Sequence, residues 1–146
     1  MYLCIVFYIS VTWEAILLNY NEAVDYIDNI GAFGSRLDLS RIRVLLDSFG
    51  NPQDKINVIH VAGTNGKGSV CSMLSNILIE AEYNTALYTS PHLERYNERY
   101  VINNIQISDR DFAEYVNIIK ERVNTINWGN LGIPTVFEQL TAMAFV

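Results

Sequence analysis

The chain has 146 residues, half of them hydrophobic, enough to bury a core and to exclude a wholly disordered protein. Sixteen acidic residues against ten basic ones give a formal charge of −6, and the basic residues form no cluster, so nucleic acid is excluded as a partner. Two cysteines, Cys4 and Cys71, lack metal-ligand spacing and fit a reducing, cytoplasmic setting.

The apolar run Met1 to Trp13 is preceded by no basic residue and followed by no small-residue cleavage site, so it does not read as a signal peptide. It is also shorter than the roughly 20 residues a spanning helix needs, and no membrane partner is expected. Residues 1–18 read as an N-terminal extension and 19–146 as the working unit. Ala23, Val24, Ile27 and Ile30 recur at helical spacing over Glu22 to Ile30, with Gly31 placed to cap the end. Leu39, Ile42, Leu45, Leu46 and Phe49 repeat the pattern behind Asp38 as N-cap, and Gly50-Asn51-Pro52 ends that helix.

Ile56 to Ala62 is a short β-branched run ending at glycine, which predicts a buried strand of a parallel sheet. Past Lys67, residues Val70, Met73, Leu74, Ile77, Leu78 and Ala81 predict an amphipathic helix, and Thr85 to Thr89 predicts the next strand, joined by a right-handed crossover. Tyr100 to Ile107 reads as a hairpin turning at Asn103-Asn104, because asparagine tolerates the positive φ of tight turns. Ser108 to Asp111 reads as a capping box for a long helix through Phe112, Tyr115, Val116, Ile119, Val123 and Ile126. A loop with Gly129, Gly132 and Pro134 leads to a last helix from Thr135, which carries no stop signal before Val146.

Between the predicted strand and helix stands Ala62-Gly63-Thr64-Asn65-Gly66-Lys67-Gly68-Ser69. Its glycines let the backbone curl so that successive N–H groups face phosphate oxygens, Lys67 brings a mobile cation, and the helix start adds its positive dipole end. A strict Walker pattern fails, because position 61 is valine and position 68 is glycine. Gly63, Thr64, Asn65, Gly66, Lys67, Gly68 and Ser69 are the predicted ATP-binding residues, and Lys67 is also the predicted catalytic cation.

This loop, with His60-Val61-Ala62 before it, resembles that of the Mur ligase superfamily, and within it the folylpolyglutamate synthases and bifunctional dihydrofolate synthases. Asn51-Pro52-Gln53, Thr89-Ser90-Pro91-His92-Leu93, Glu98-Arg99 and Thr135-Val136-Phe137-Glu138 are similar to further segments of that family, in the same order. Residues 1–18 show no resemblance. The resemblance implies an α/β fold with a P-loop NTPase-like parallel sheet flanked by helices, of the Mur ligase central-domain type and incomplete here. It implies an ATP-dependent ligase that joins L-glutamate to folate or dihydropteroate through an acyl phosphate, with ATP and Mg2+, monomeric at full length.

Residue by residue, the resemblance makes Ser90 a metal ligand and makes Thr135, Val136, Phe137, Glu138, His92 and, more weakly, Leu37 and Asp38 contacts of the pterin substrate. Each has a plainer reading. Ser90 precedes proline and suits a turn, His92 suits a structural hydrogen bond, and Thr135 with Glu138 forms a capping box that any helix could use. A nucleotide-binding remnant and a cell-wall amide ligase of the same superfamily are the alternatives. The family's downstream glutamate and histidine segments do not occur in the 146 residues, so the chain is expected to be a truncated, inactive portion with exposed apolar helix faces.

Overall fold

The computed structural model describes residues 18–30 and 38–146. The run Met1 to Trp13, Gly31 and Leu37 lie outside the described residues. Helix α1, Tyr20–Asp28, opens two residues earlier than the apolar spacing suggests, because Asn19 and Glu22 close a capping box: Glu22 N donates to Asn19 Oδ1 at 3.1 Å and Asn19 N to Glu22 Oε2 at 2.8 Å. Helix α2, Ser40–Asp47, departs from expectation at its start. Leu39 occupies the cap position with its side chain exposed, while the Asp38 carboxylate, one residue back, accepts from Ser40 N at 2.8 Å. Leu45 and Leu46 enter the core as predicted, and Leu39 does not.

The sheet is where the sequence reading fails. Residues 56–62 form no strand, and Ile56, Val58 and Ile59 are exposed. A β-branched run becomes a strand only when a neighbour completes its hydrogen-bond ladder, and among the described residues no segment pairs with it. The strands that do form are β1 (Ala86–Tyr88), β2 (Tyr100–Ile102) and β3 (Ile105–Gln106), in the order β1-β2-β3 and antiparallel throughout. The predicted parallel crossover is not formed among the described residues, and β1 pairs antiparallel with β2, with Leu87 opposite Val101. The β2–β3 turn is as expected: Asn103 and Asn104 both adopt positive φ, 47° and 64°, the requirement of a tight two-residue hairpin.

Helix α3, Lys67–Glu80, packs on β1 but turns only part of its apolar surface inward. Ser75 is buried, whereas Met73 is 65% exposed, Ile77 63%, and Val70 also faces outward. The predicted core face of this helix is thus half uncovered. Helix α4, Asp109–Thr125, behaves differently: Ser108 and Asp111 form its capping box, and Phe112, Val116, Ile119 and Val123 are buried. It lies against α1 and α5, Val136–Met143, and α5 also packs on α2. Phe112 is the aromatic centre, with the rings of Tyr20, Tyr96 and Tyr100 at 5.5, 5.7 and 6.4 Å between centroids. Tyr100 donates its hydroxyl to the Leu140 carbonyl at 2.7 Å, tying β2 to α5, and burial raises its pKa.

Candidate nucleotide and substrate site

Gly66 sits at the N-cap of α3 with φ 76°, a left-handed conformation that a side chain would strain and that turns the loop into the helix. No side chain caps α3, so its first N–H groups meet no protein acceptor of that kind. Lys67 folds back across the loop: its Nζ donates to the Gly63 carbonyl at 2.6 Å and the Thr64 carbonyl at 3.2 Å. The loop is open to solvent from Gly63 through Ser69. An ammonium parked on two carbonyls beside an uncapped helix start is arranged to exchange those carbonyls for anionic oxygens.

The second element is the turn after β1. Residues 81–85 connect α3 to β1, and β1 packs on that helix. Thr89 N donates to the Arg99 carbonyl at 3.0 Å and extends the ladder, after which the Ser90–Pro91 bond is cis. Glu98 organises residues 93–95. Its Oε2 accepts from Leu93 N at 2.7 Å and its Oε1 from Glu94 N at 2.8 Å and Arg95 N at 2.6 Å. Those bonds, led by the one from Leu93, hold the Glu98 carboxyl below its usual pKa. The His92 ring lies tilted, 4.3 Å from the Tyr96 ring, and accepts at Nδ1 from Arg99 Nε at 2.9 Å, so in the neutral ring the proton sits on Nε2. Tyr96 in turn donates to Asp28 at 2.6 Å, and burial, with that carboxylate beside it, pushes its pKa up to about 12.

The third element is the first turn of α5. Thr135 and Glu138 form the predicted capping box: Thr135 N and Oγ1 donate to Glu138 Oε2 at 2.7 and 2.8 Å, and Glu138 N donates to Thr135 Oγ1 at 3.3 Å. The helix cap thus accounts for both side chains. Val136 is partly buried against the core, and Phe137 points outward, 58% exposed. Three residues that matter here carry no role in the sequence reading. Gln139, 1% exposed, donates to the Pro134 carbonyl at 2.8 Å and accepts from the Tyr26 hydroxyl at 3.0 Å. Asn97 is buried and donates to the Ile107 carbonyl, and Arg41 is buried below Glu138.

A shallow cleft of about 460 Å³ beside Tyr26, Lys120, Ile133 and Gln139 includes none of the predicted site residues. Among the described residues no group of three or more His, Cys, Asp or Glu could hold a metal ion. The hydroxyls of Ser69 and Ser90 suit a hard cation chemically, but they complete no coordination shell without other oxygen donors. No helix among the described residues is long and apolar enough to cross a membrane.

No family model matches the chain. The dihydrofolate synthase/folylpolyglutamate synthase of Bacillus subtilis is 39% identical over 127 residues, 87% of this chain and 30% of that protein. The dihydrofolate synthetase of Saccharomyces cerevisiae is 42% identical over 109 residues, 75% of this chain and 25% of that protein. Among solved structures, the folylpolyglutamate synthetase of Lactobacillus casei superposes with a TM-score of 0.80 at 35% identity, over 88% of this chain and 32% of that one. The chain belongs to the folylpolyglutamate and dihydrofolate synthase family. It spans 30% and 25% of the length of these two relatives. A folylpolyglutamate synthase complex with AMPPCP and folate gives a TM-score of 0.81 at 35% identity, over 88% of this chain and 32% of that one. The 63–69 loop, the turn at Ser90 and the start of α5 are each locally formed, while Leu37, a weaker candidate, is outside the described residues.

Proposed function

We propose that the protein carrying this chain is an ATP-dependent ligase that joins L-glutamate to folate or dihydropteroate. The observation that carries the reading is the 63–69 loop, with Lys67 held over it, in a chain of this family. The γ-phosphoryl group of ATP passes to the substrate carboxylate, giving an acyl phosphate and ADP. The amino nitrogen of glutamate then attacks the acyl carbon, phosphate leaves with the C–O bond electrons, and the nitrogen sheds a proton as the amide forms.

This chain's part is binding and orientation. The N–H groups of residues 63–69 and the Lys67 ammonium receive the phosphates, and the dipole of α3 favours the same charge. Ser90 and Ser69 present hydroxyls where a metal-bound phosphate would approach. Mg2+, when bound, supplies charge neutralisation on the transferring group, with its remaining ligands coming from nucleotide, water and other parts of the protein. Phe137, aided by the Thr135 to Glu138 turn, His92 and Asp38, offers the pterin ring an aromatic face and polar edges. In the whole protein residues 56–62 become the strand of a parallel sheet, and the chain alone lacks ligase activity. The expected setting is cytoplasmic and monomeric.

Lys67→Ala in the full-length protein tests the reading. Loss of one charge-assisted contact to a phosphate that must be held in line should lower turnover by about a hundredfold or more. Phosphate release at the wild-type rate with folate and glutamate present would contradict the assignment.

A further inference from the structure

Arg41 lies in α2, yet it is only 4% exposed. A guanidinium taken out of water is costly unless its fork is engaged, and this one is engaged by residues about 90 positions further along the chain. Its Nε donates to the Leu131 carbonyl at 2.7 Å. Its Nη1 stands 3.8 Å from Glu138 Oε2. A Cβ added at Gly132, whose φ is 75°, would lie 3.5 Å from Nη2, so the 131–132 backbone rests directly on the fork.

The Glu138 oxygen facing Arg41 is the same one that accepts from Thr135 N and Oγ1. One carboxylate oxygen therefore joins the cap of α5 to a fixed cation on α2. Arg41 grips both sides of the segment that leads into α5, the carbonyl before Gly132 and the first helical turn. Phe137 projects from that turn into solvent. An apolar residue could stabilise such a junction equally well, since buried ion pairs contribute little net stability; what the planar fork adds is direction.

We propose that Arg41 is a positioning residue for the pterin-bearing substrate: by holding Glu138 and the Leu131 carbonyl together it sets the orientation in which the first turn of α5 presents Phe137 to the ring. This rests on the folate reading above. It predicts a selective effect, because the phosphate loop is carried by α3, whereas Arg41 holds the 131–132 backbone and the start of α5.

The experiment compares Arg41→Met, Arg41→Lys and Glu138→Gln in the full-length protein, measuring apparent KM separately for the folate substrate and for ATP. Arg41→Met should raise the constant for folate about tenfold or more and change that for ATP less than twofold. Arg41→Lys should recover only part of the loss, since an ammonium cannot reproduce the fork. Glu138→Gln keeps a side chain competent in the capping box but removes the charge opposite Arg41, and should also raise the folate constant selectively. If Arg41→Met does not fold, the other two variants decide. Unchanged constants, or equal rises for both substrates, would overturn the proposal and leave Arg41 a packing residue. A wild-type protein that ligates no folate would overturn the proposed function instead.

Discussion

Phe137 divides the candidate site into two functions. Its neighbours Thr135 and Glu138 are occupied with each other, so their side chains are explained by helix capping before any ligand is considered. Phe137 takes no part in that box and is 58% exposed, which leaves its ring face available to a ligand. Phe137→Ala should therefore raise the apparent constant for the pterin substrate about tenfold and leave that for ATP nearly unchanged, as measured by steady-state kinetics on each substrate. A drop in thermal stability with both constants moving together would instead mark it as packing. The place of Lys67 at the start of α3 was legible from the sequence because glycine, lysine and helix start are adjacent in the chain. Arg41 was not: it stands two residues from Arg43 in the same short helix with nothing local to set it apart, and its partners Leu131 and Glu138 are far away in sequence.

At the scale of elements, what was legible is what the chain decides locally. The capping boxes of α1, α4 and α5 lie within four consecutive residues each, and the hairpin turn is made by two asparagines alone. The box at Asn19 and Glu22 has the same local form, but the sequence reading relied on apolar spacing and started that helix two residues later. Residues 56–62 carry an equally clear strand signal, but a strand is decided by its partner, which is not local. The Leu93 to Arg95 turn is also set from outside itself, by the Glu98 carboxylate. Because the folded pKa of Glu98 is depressed, its contribution is present above the ordinary carboxylate value near 4.5 and is lost as pH falls through the lower folded value. Hydrogen exchange of the Leu93, Glu94 and Arg95 amides should accelerate relative to neighbouring α4 amides below that pH, and Glu98→Gln should show the acceleration already at neutral pH. Exchange in the variant matching the wild type at neutral pH would mean the turn is held otherwise.

Across the whole molecule, the two halves are unequally covered. Helices α1, α2, α4 and α5 share one core around Phe112, Leu45 and Leu140, while α3 and residues 56–62 expose Val70, Met73, Ile77, Ile56, Val58 and Ile59. An open apolar surface of that kind marks a contact to be made or an aggregation hazard. The 146-residue chain should bind a hydrophobic dye and self-associate, and Met73→Lys with Ile77→Lys should reduce both without lowering the melting temperature, because those side chains contribute little to this core. Destabilisation by that pair would show that the face is already covered. Glutamate ligation itself is read out by product formation in the full-length protein with ATP, Mg2+, labelled glutamate and either dihydropteroate or reduced folate. Labelled amide product is expected in at least one of the two reactions, with one phosphate released per bond formed and neither product nor phosphate when ATP is omitted. Phosphate release that does not depend on the pterin substrate, with no labelled product, would contradict glutamate ligation as the function of this protein.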